Sequence, residues 1–142
     1  MLRRLIAVGV IRNQAGEFLL CKMSNDHGVF PGQWGLVGGG VEDNETVEEA
    51  LKREIWEESA LYVKTLSPLF FADDQKLKKF RDGTTEEQYL IYLYFDVSVE
   101  GSVQLNDEWV DFAWVKSDDL QKYDLNTGTE RTLRKFGALP SL

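Results

Sequence analysis

Residues 45–59 contain neither glycine nor proline and lie between two stretches of strand-like composition. The segment is rich in good helix formers. Thr46 and Glu49 have the spacing of a capping box, and Asp43 and Glu45 suit the positive end of a helix. A helix that interrupts a series of strands has to bury its apolar stripe on the sheet those strands form. The chain is therefore predicted to be a mixed α/β (α+β) protein with helices packed on a largely non-local sheet.

The flanking segments supply that sheet. Residues 5–11 are apolar and β-branched and read as a buried strand. Asn13-Gln14-Ala15-Gly16 marks a turn, residues 18–23 its hairpin partner, and residues 24–33 a polar loop. Residues 34–37 form a short strand ending in Gly38-Gly39-Gly40. After the helix, residues 61–72 return to strand-like composition, and residues 73–87 read as a long charged loop around the Asp82-Gly83 turn. Residues 89–95 are expected to be a central strand, 99–103 a hairpin turn and 110–115 a further strand. Residues 117–120 start a helix, and 127–136 form a C-terminal helix ended by Gly137. No linker or repeat interrupts residues 1–142, so one domain is expected.

Charge and rare residues narrow the functions. The net charge of −8 repels a nucleic-acid backbone, so no nucleic-acid polymer is expected as partner. A bound divalent metal reverses the local sign of an acidic site, so a small phosphate-bearing ligand remains compatible. The lone cysteine, Cys21, excludes an intrachain disulfide and suits a reducing compartment. The lone histidine, His27, cannot build a histidine metal cluster. A metal site would be made of oxygen, which favours Mg²⁺, Mn²⁺ or Ca²⁺. No apolar run approaches the roughly 20 residues of a membrane span, and Arg12, Asn13 and Gln14 cut short the apolar stretch near the start. No membrane association and a cytoplasmic location are expected.

On a helical wheel at about 100° per residue, Val47, Leu51 and Ile55 form the core-facing stripe, with Ala50 beside it. Glu54 and Glu58 project close to the line of Val47 and Leu51, and Glu57 lies next to them. Carboxylates at these spacings repel, more so where water is scarce. Stability alone would not concentrate them beside a core stripe, whereas a hard cation needs oxygen ligands on one rigid face. The competing reading is a solvated acidic end with Arg53 paired to Glu57. Likewise, Gly38-Gly39-Gly40 either allows close approach of backbone to a ligand or makes a tight strand-to-helix turn.

The two features combine into a longer pattern. From Gly39, five residues lead to Glu45, and seven more lead to Arg53-Glu54-Ile55-Trp56-Glu57-Glu58-Ser59-Ala60-Leu61. Residues 39–61 resemble the Nudix box, the signature of hydrolases acting on nucleoside diphosphates linked to another group. Two positions depart from the family pattern: Ala60 stands where a glycine is usual, and Val37 where proline is common. Outside the box, Leu20-Cys-Lys-Met23, Gly28-Val-Phe-Pro-Gly-Gln-Trp34, Ala113-Trp-Val115 and Tyr123-Asp-Leu-Asn126 resemble a bacterial branch of the family that hydrolyses nucleoside triphosphates and prefers pyrimidine deoxynucleotides.

The resemblance implies a Nudix fold, a mixed β-sheet sandwiched between helices with the box as a loop–helix–loop. It implies Mg²⁺, with Mn²⁺ able to substitute, held by Glu54, Glu57 and Glu58 and a backbone carbonyl at Gly38 or nearby. Glu45, Arg53 and Gly39 would support the site. The expected reaction converts a nucleoside triphosphate and water to the monophosphate and pyrophosphate. Candidates for the general base are Glu54 and Glu57 in the box, and Glu108 and Asp111 downstream. Phe30 and Tyr89 are candidates to stack on a base, and Lys22, Lys78 and Arg81 to meet phosphates. Other readings are a nucleotide-sugar or dinucleotide hydrolase, or a Nudix-shaped binding module without catalysis. Monomer and homodimer both remain open.

Overall fold

The computed structural model describes residues 1–141. Strand β1 (Leu2–Arg12) organises the architecture. Along its whole length it pairs in parallel with β6 (Thr85–Glu100), from Leu2 opposite Gln88 to Arg12 opposite Ser98. On its other side it runs antiparallel to β4 (Gly38–Gly40), with Ile6 opposite Gly40 and Val8 opposite Gly38. Strand β2 (Phe18–Met23) pairs with β3 (Trp34–Gly35) and β7 (Trp109–Val115), and β5 (Tyr62–Lys79) borders β6. These strands make one seven-stranded mixed sheet.

Alternation along β1 and β2 sends apolar side chains to both faces. Ala7, Ile11, Leu19 and Cys21 pack with Leu51 and Ile55 of α1 (Val47–Ser59). Val8, Val10 and Leu20 pack with Leu120 of a 3₁₀ turn (Ser117–Lys122) and Leu133 of α2 (Thr127–Phe136). Burial on both faces explains why the strand sequences are continuous apolar runs rather than alternating ones. The sheet between helices is the arrangement that the resemblance implied. Among the described residues no helix is long and apolar enough to cross a membrane.

Three expectations are corrected. Residues 73–87 are not a long loop: β5 continues to Lys79 and β6 starts at Thr85, so the two form an extended arm around a short turn. Backbone pairing holds this arm although its sequence carries no core-facing alternation. The expected hairpin of β1 and β2 is present, antiparallel around the 13–16 turn, with its ladder pairing confined to Arg12 opposite Phe18, while the long ladder of β2 is with β7. The segment after β6 does not fold back as a hairpin. It caps α1 instead: Gln104 N donates to Ser59 O at 2.9 Å and Asn106 N to Glu58 O at 3.3 Å, satisfying carbonyls that the helix end leaves open. Finally, Gly38–Gly40 is extended strand rather than turn. A Cβ at Gly38 would collide with Ala7 O, so close packing, not turn geometry, excludes a side chain there.

Helix α1 begins at the predicted capping box, with Thr46 and Glu49 exchanging hydrogen bonds. It ends at Ala60, whose φ of 60° and ψ of 22° are left-handed. Glycine normally occupies that conformation without steric cost. The helix closes there all the same, with Ala60 N–H donating to Trp56 O.

Candidate active site

The stripe of α1 that buries Leu51 and Ile55 also buries Glu58, which is 4% exposed. Trp109 Nε1 donates to Glu58 Oε1 at 2.7 Å. Burial, with Glu54 close by, pushes the Glu58 carboxyl up to about 10, while the indole N–H acts in the opposite direction. One turn earlier, Glu54 lies against Gly39. A Cβ at Gly39 would sit 2.5 Å from both Glu54 carboxylate oxygens. Glu57 is half exposed on the same side of the helix.

Arg53 ties these groups to the loop before the helix. Its Nη2 donates to Glu45 Oε1 at 2.7 Å and to Gly40 O at 3.1 Å, and its Nη1 to Glu54 at 2.8 Å and Glu57 at 3.2 Å. Glu45 in turn accepts from Glu42 N at 2.8 Å. The Arg53 hydrogen bonds hold the Glu45 carboxyl below its usual range. This part-buried bidentate contact is far from a bare surface ion pair.

Glu54, Glu57, Glu58 and Gly38–Gly40 line one cleft of about 360 Å³. Phe30, Lys78 and Glu108 line it too. Phe30 leans on Trp109 with ring centroids 6.0 Å apart. Glu108 is set by a hydrogen bond from its backbone N–H to Asn106 Oδ1 at 3.0 Å. The other candidates lie elsewhere. Tyr89 sits between Gln88 and Leu90, which line the cleft, so alternation turns it to the opposite face, where its hydroxyl meets Asp73 at 2.5 Å. Lys22 is turned away in the same manner between buried Cys21 and cleft-lining Met23. Arg81 fastens the β5–β6 arm by donating to Asp107 O at 3.1 Å and His27 Nε2 at 3.4 Å. Asp111 accepts from Phe112 N on β7 and does not line the cleft.

Trp109 and Arg4 were missed at the sequence level. Extending the period-two pattern of Ile6 and Val8 back by one step would have put Arg4 on the cleft side of β1.

The donors in the cleft are oxygens, which suit a hard divalent cation. Glu58 in particular is a buried carboxyl for which a cation would be the natural counterpart. Among the described residues no three His, Cys, Asp or Glu side chains close into a ready-made metal cluster. Arg53 draws Glu54 and Glu57 to itself, and Trp109 holds Glu58.

The comparisons with known proteins agree with this fold. The NUDIX domain profile matches residues 2–136. Nucleoside triphosphatase NudI of Escherichia fergusonii is 51% identical over 142 residues, covering 98% of this chain and 100% of that protein. The protein of the same name from Escherichia coli O139:H28 matches with the same identity and coverage. Of solved structures, the MutT NUDIX hydrolase from Burkholderia pseudomallei superposes with a TM-score of 0.76 at 25% identity, covering 95% of this chain and 98% of that one. The MutT protein from Methanosarcina mazei Go1 gives 0.69 at 27% identity, covering 96% and 94%. With a profile match from the first strand to the last helix, and relatives aligned end to end, the chain belongs to the NUDIX domain family.

Proposed function

We propose that the protein hydrolyses nucleoside triphosphates to the monophosphate and pyrophosphate with Mg²⁺, for which Mn²⁺ substitutes. The carrying observation is the grouping of Glu54, Glu57 and Glu58 beside Gly38–Gly40 in one cleft, with Arg53 and Glu45 bracing them from behind. The relatives that align end to end are named nucleoside triphosphatases, which supports the substrate class. The sequence resemblance favours pyrimidine deoxynucleotides within it. We assign the whole chain to this one domain and its action to the cytoplasm.

In this reading Glu54, Glu57, Glu58 and the Gly38 carbonyl would hold the cation. Bound there, a divalent ion supplies charge neutralisation at phosphate oxygens and makes water more acidic. The chain's own groups do the rest. Arg53, fixed by Glu45, orients Glu54 and Glu57. Glu108 lines the cleft free of the ties that engage the box carboxylates, and it accepts the proton of the attacking water. Water oxygen bonds to phosphorus, the anhydride bond between the α and β phosphates breaks, and the electron pair leaves on pyrophosphate. Phe30 offers an aromatic face to the base.

A panel of nucleoside triphosphates, nucleotide sugars and dinucleotides, assayed with Mg²⁺ for pyrophosphate and orthophosphate, tests the proposal. Pyrophosphate release from triphosphates, abolished by a chelator, is the expected result. Orthophosphate as the sole product, or hydrolysis of nucleotide sugars alone, would overturn it.

A further inference from the structure

We infer that Arg4 binds the outer phosphates of the substrate, the part that leaves as pyrophosphate; the inference rests on the triphosphate chemistry proposed above. Arg4, Ile6 and Val8 line the cleft from alternate positions of β1. Two arginines flank the glycine strand and are used differently. Arg53 takes the carbonyl of Gly40 and is engaged by Glu45, Glu54 and Glu57. Arg4 lies against the α-carbon of the same glycine, where a Cβ would collide with its Nη2. Among the described residues no carboxylate forms an ion pair with Arg4. Gly40 therefore preserves room for a guanidinium that the protein itself leaves unneutralised.

The register of β1 gives the cleft a direction. Val8 stands opposite Gly38, and Ile6 opposite Gly40. At the Val8 end the cleft meets a recess of about 60 Å³ where Phe30, Tyr92 and Tyr94 supply aromatic walls, with Asn126 and the charged Asp74, Lys76 and Arg131 also on its lining. Glu54 reaches the cleft across Gly39. Arg4 lies beyond Ile6, four residues and so roughly 13 Å along the strand from Val8. The order is aromatic recess, carboxylates, guanidinium. A nucleoside triphosphate has the same order: base, reacting phosphate, outer phosphates.

Charge gives a second reason. The cleft is lined by Glu54, Glu57, Glu58 and Glu108, with Arg4 and Lys78 as its cationic side chains. The acidic wall repels a polyphosphate wherever no cation intervenes. A planar guanidinium at the far end offers bidentate hydrogen bonds to phosphate oxygens, which a lysine ammonium cannot reproduce.

The test is calorimetric binding of pyrophosphate and of a pyrimidine deoxynucleoside monophosphate, both with Mg²⁺, to the wild type, Arg4→Gln and Arg4→Lys. Loss of a charge-assisted bidentate contact should weaken pyrophosphate about tenfold or more in Arg4→Gln. Monophosphate affinity should stay within about twofold, and Arg4→Lys should recover part of the loss. In turnover the same variant should raise KM with kcat little changed. Unchanged pyrophosphate affinity in Arg4→Gln would overturn the assignment. So would equal weakening of both ligands, which would mean that Arg4 merely supports Gly40. If Arg4→Gln does not fold, Arg4→Lys decides alone: selective weakening of pyrophosphate supports the role, and unchanged affinity refutes it. A wild type that releases no pyrophosphate from any triphosphate would instead defeat the proposed reaction, and that result is read in a separate assay.

Discussion

Trp109 Nε1 donates to Glu58 Oε1 at 2.7 Å, and both side chains are buried. One residue comes from the start of β7 and the other from the last turn of α1, so this bond joins α1 to the far side of the cleft. Replacing Trp109 by Phe keeps an aromatic ring and removes the donor. A buried acceptor left unpaired costs about 1–3 kcal/mol. Thermal unfolding should show that loss, and a Mg²⁺ titration should show weaker apparent affinity as Glu58 becomes harder to ionise.

The buried carboxyl also sets a pH signature. Glu58 titrates near 10 in the folded chain against 4.5 as its ordinary value. Between these limits the folded state holds a proton that the unfolded chain has released. This contribution to stability is complete below about pH 4.5 and is lost as pH rises towards 10. Cation-free wild type should therefore lose Tm as pH climbs through that window. Glu58→Gln keeps an oxygen for Trp109, should flatten the dependence and should raise Tm near pH 8, while turnover collapses. A wild-type Tm unchanged between about pH 6 and 9 without cation would contradict the burial argument.

Gly39→Ala tests how closely Glu54 approaches the strand. The new Cβ would overlap the Glu54 carboxylate, and Glu54 would have to move by about an ångström. Displacements of that size cost roughly 10²-fold in rate. We expect a fall of that order in kcat with far-ultraviolet circular dichroism unchanged.

Glu108→Gln removes the proposed proton acceptor without touching the Arg53 network. Loss of general-base assistance is worth about 10²- to 10⁴-fold in kcat. Tm should stay within about 1 °C, because the backbone N–H of Glu108, not its side chain, makes the hydrogen bond to Asn106. Activity close to wild type would return the role to a box carboxylate.

Ala60→Gly should stabilise the protein, unusually for a change to glycine. Alanine at φ 60° bears a left-handed penalty of about 1–2 kcal/mol, offset in part by the greater unfolded-state freedom of glycine. A net gain of about 0.5–1 kcal/mol is expected in denaturant unfolding, with kcat unchanged.

The helix, its cap and the burial of Glu58 were legible because each is local: a capping pair three residues apart and a 3.6-residue wheel determine them. The β5–β6 arm was not legible. Asp73, Asp74, Gln75, Lys76, Lys78 and Lys79 give an edge strand no apolar side to bury, and only the ladder to β6 makes it a strand. Tyr89 failed as a stacking candidate because one step of alternation decides which face a strand residue serves, and that register comes from β1, far away in sequence. Trp109 lies just before the strand expected over 110–115 and carried no local signal. Its partner lies fifty-one positions earlier, a relation that no local pattern carries.

The parallel pairing of β1 with β6 has a consequence for how the molecule comes into being. Arg12 waits for Ser98, so the cleft wall that carries Arg4, Ile6 and Val8 is complete only after the acidic helix and the β5–β6 arm have been synthesised. Such distant pairing raises contact order and slows folding. During that interval β1 has β4 on one side and an open apolar edge on the other, the kind of edge that associates with other chains. The β5–β6 hairpin closes over a short turn, so its ladder is local where that of β1 with β6 is not. β6 is thus the template on which the opening strand docks, and the site is complete only when that parallel pairing closes.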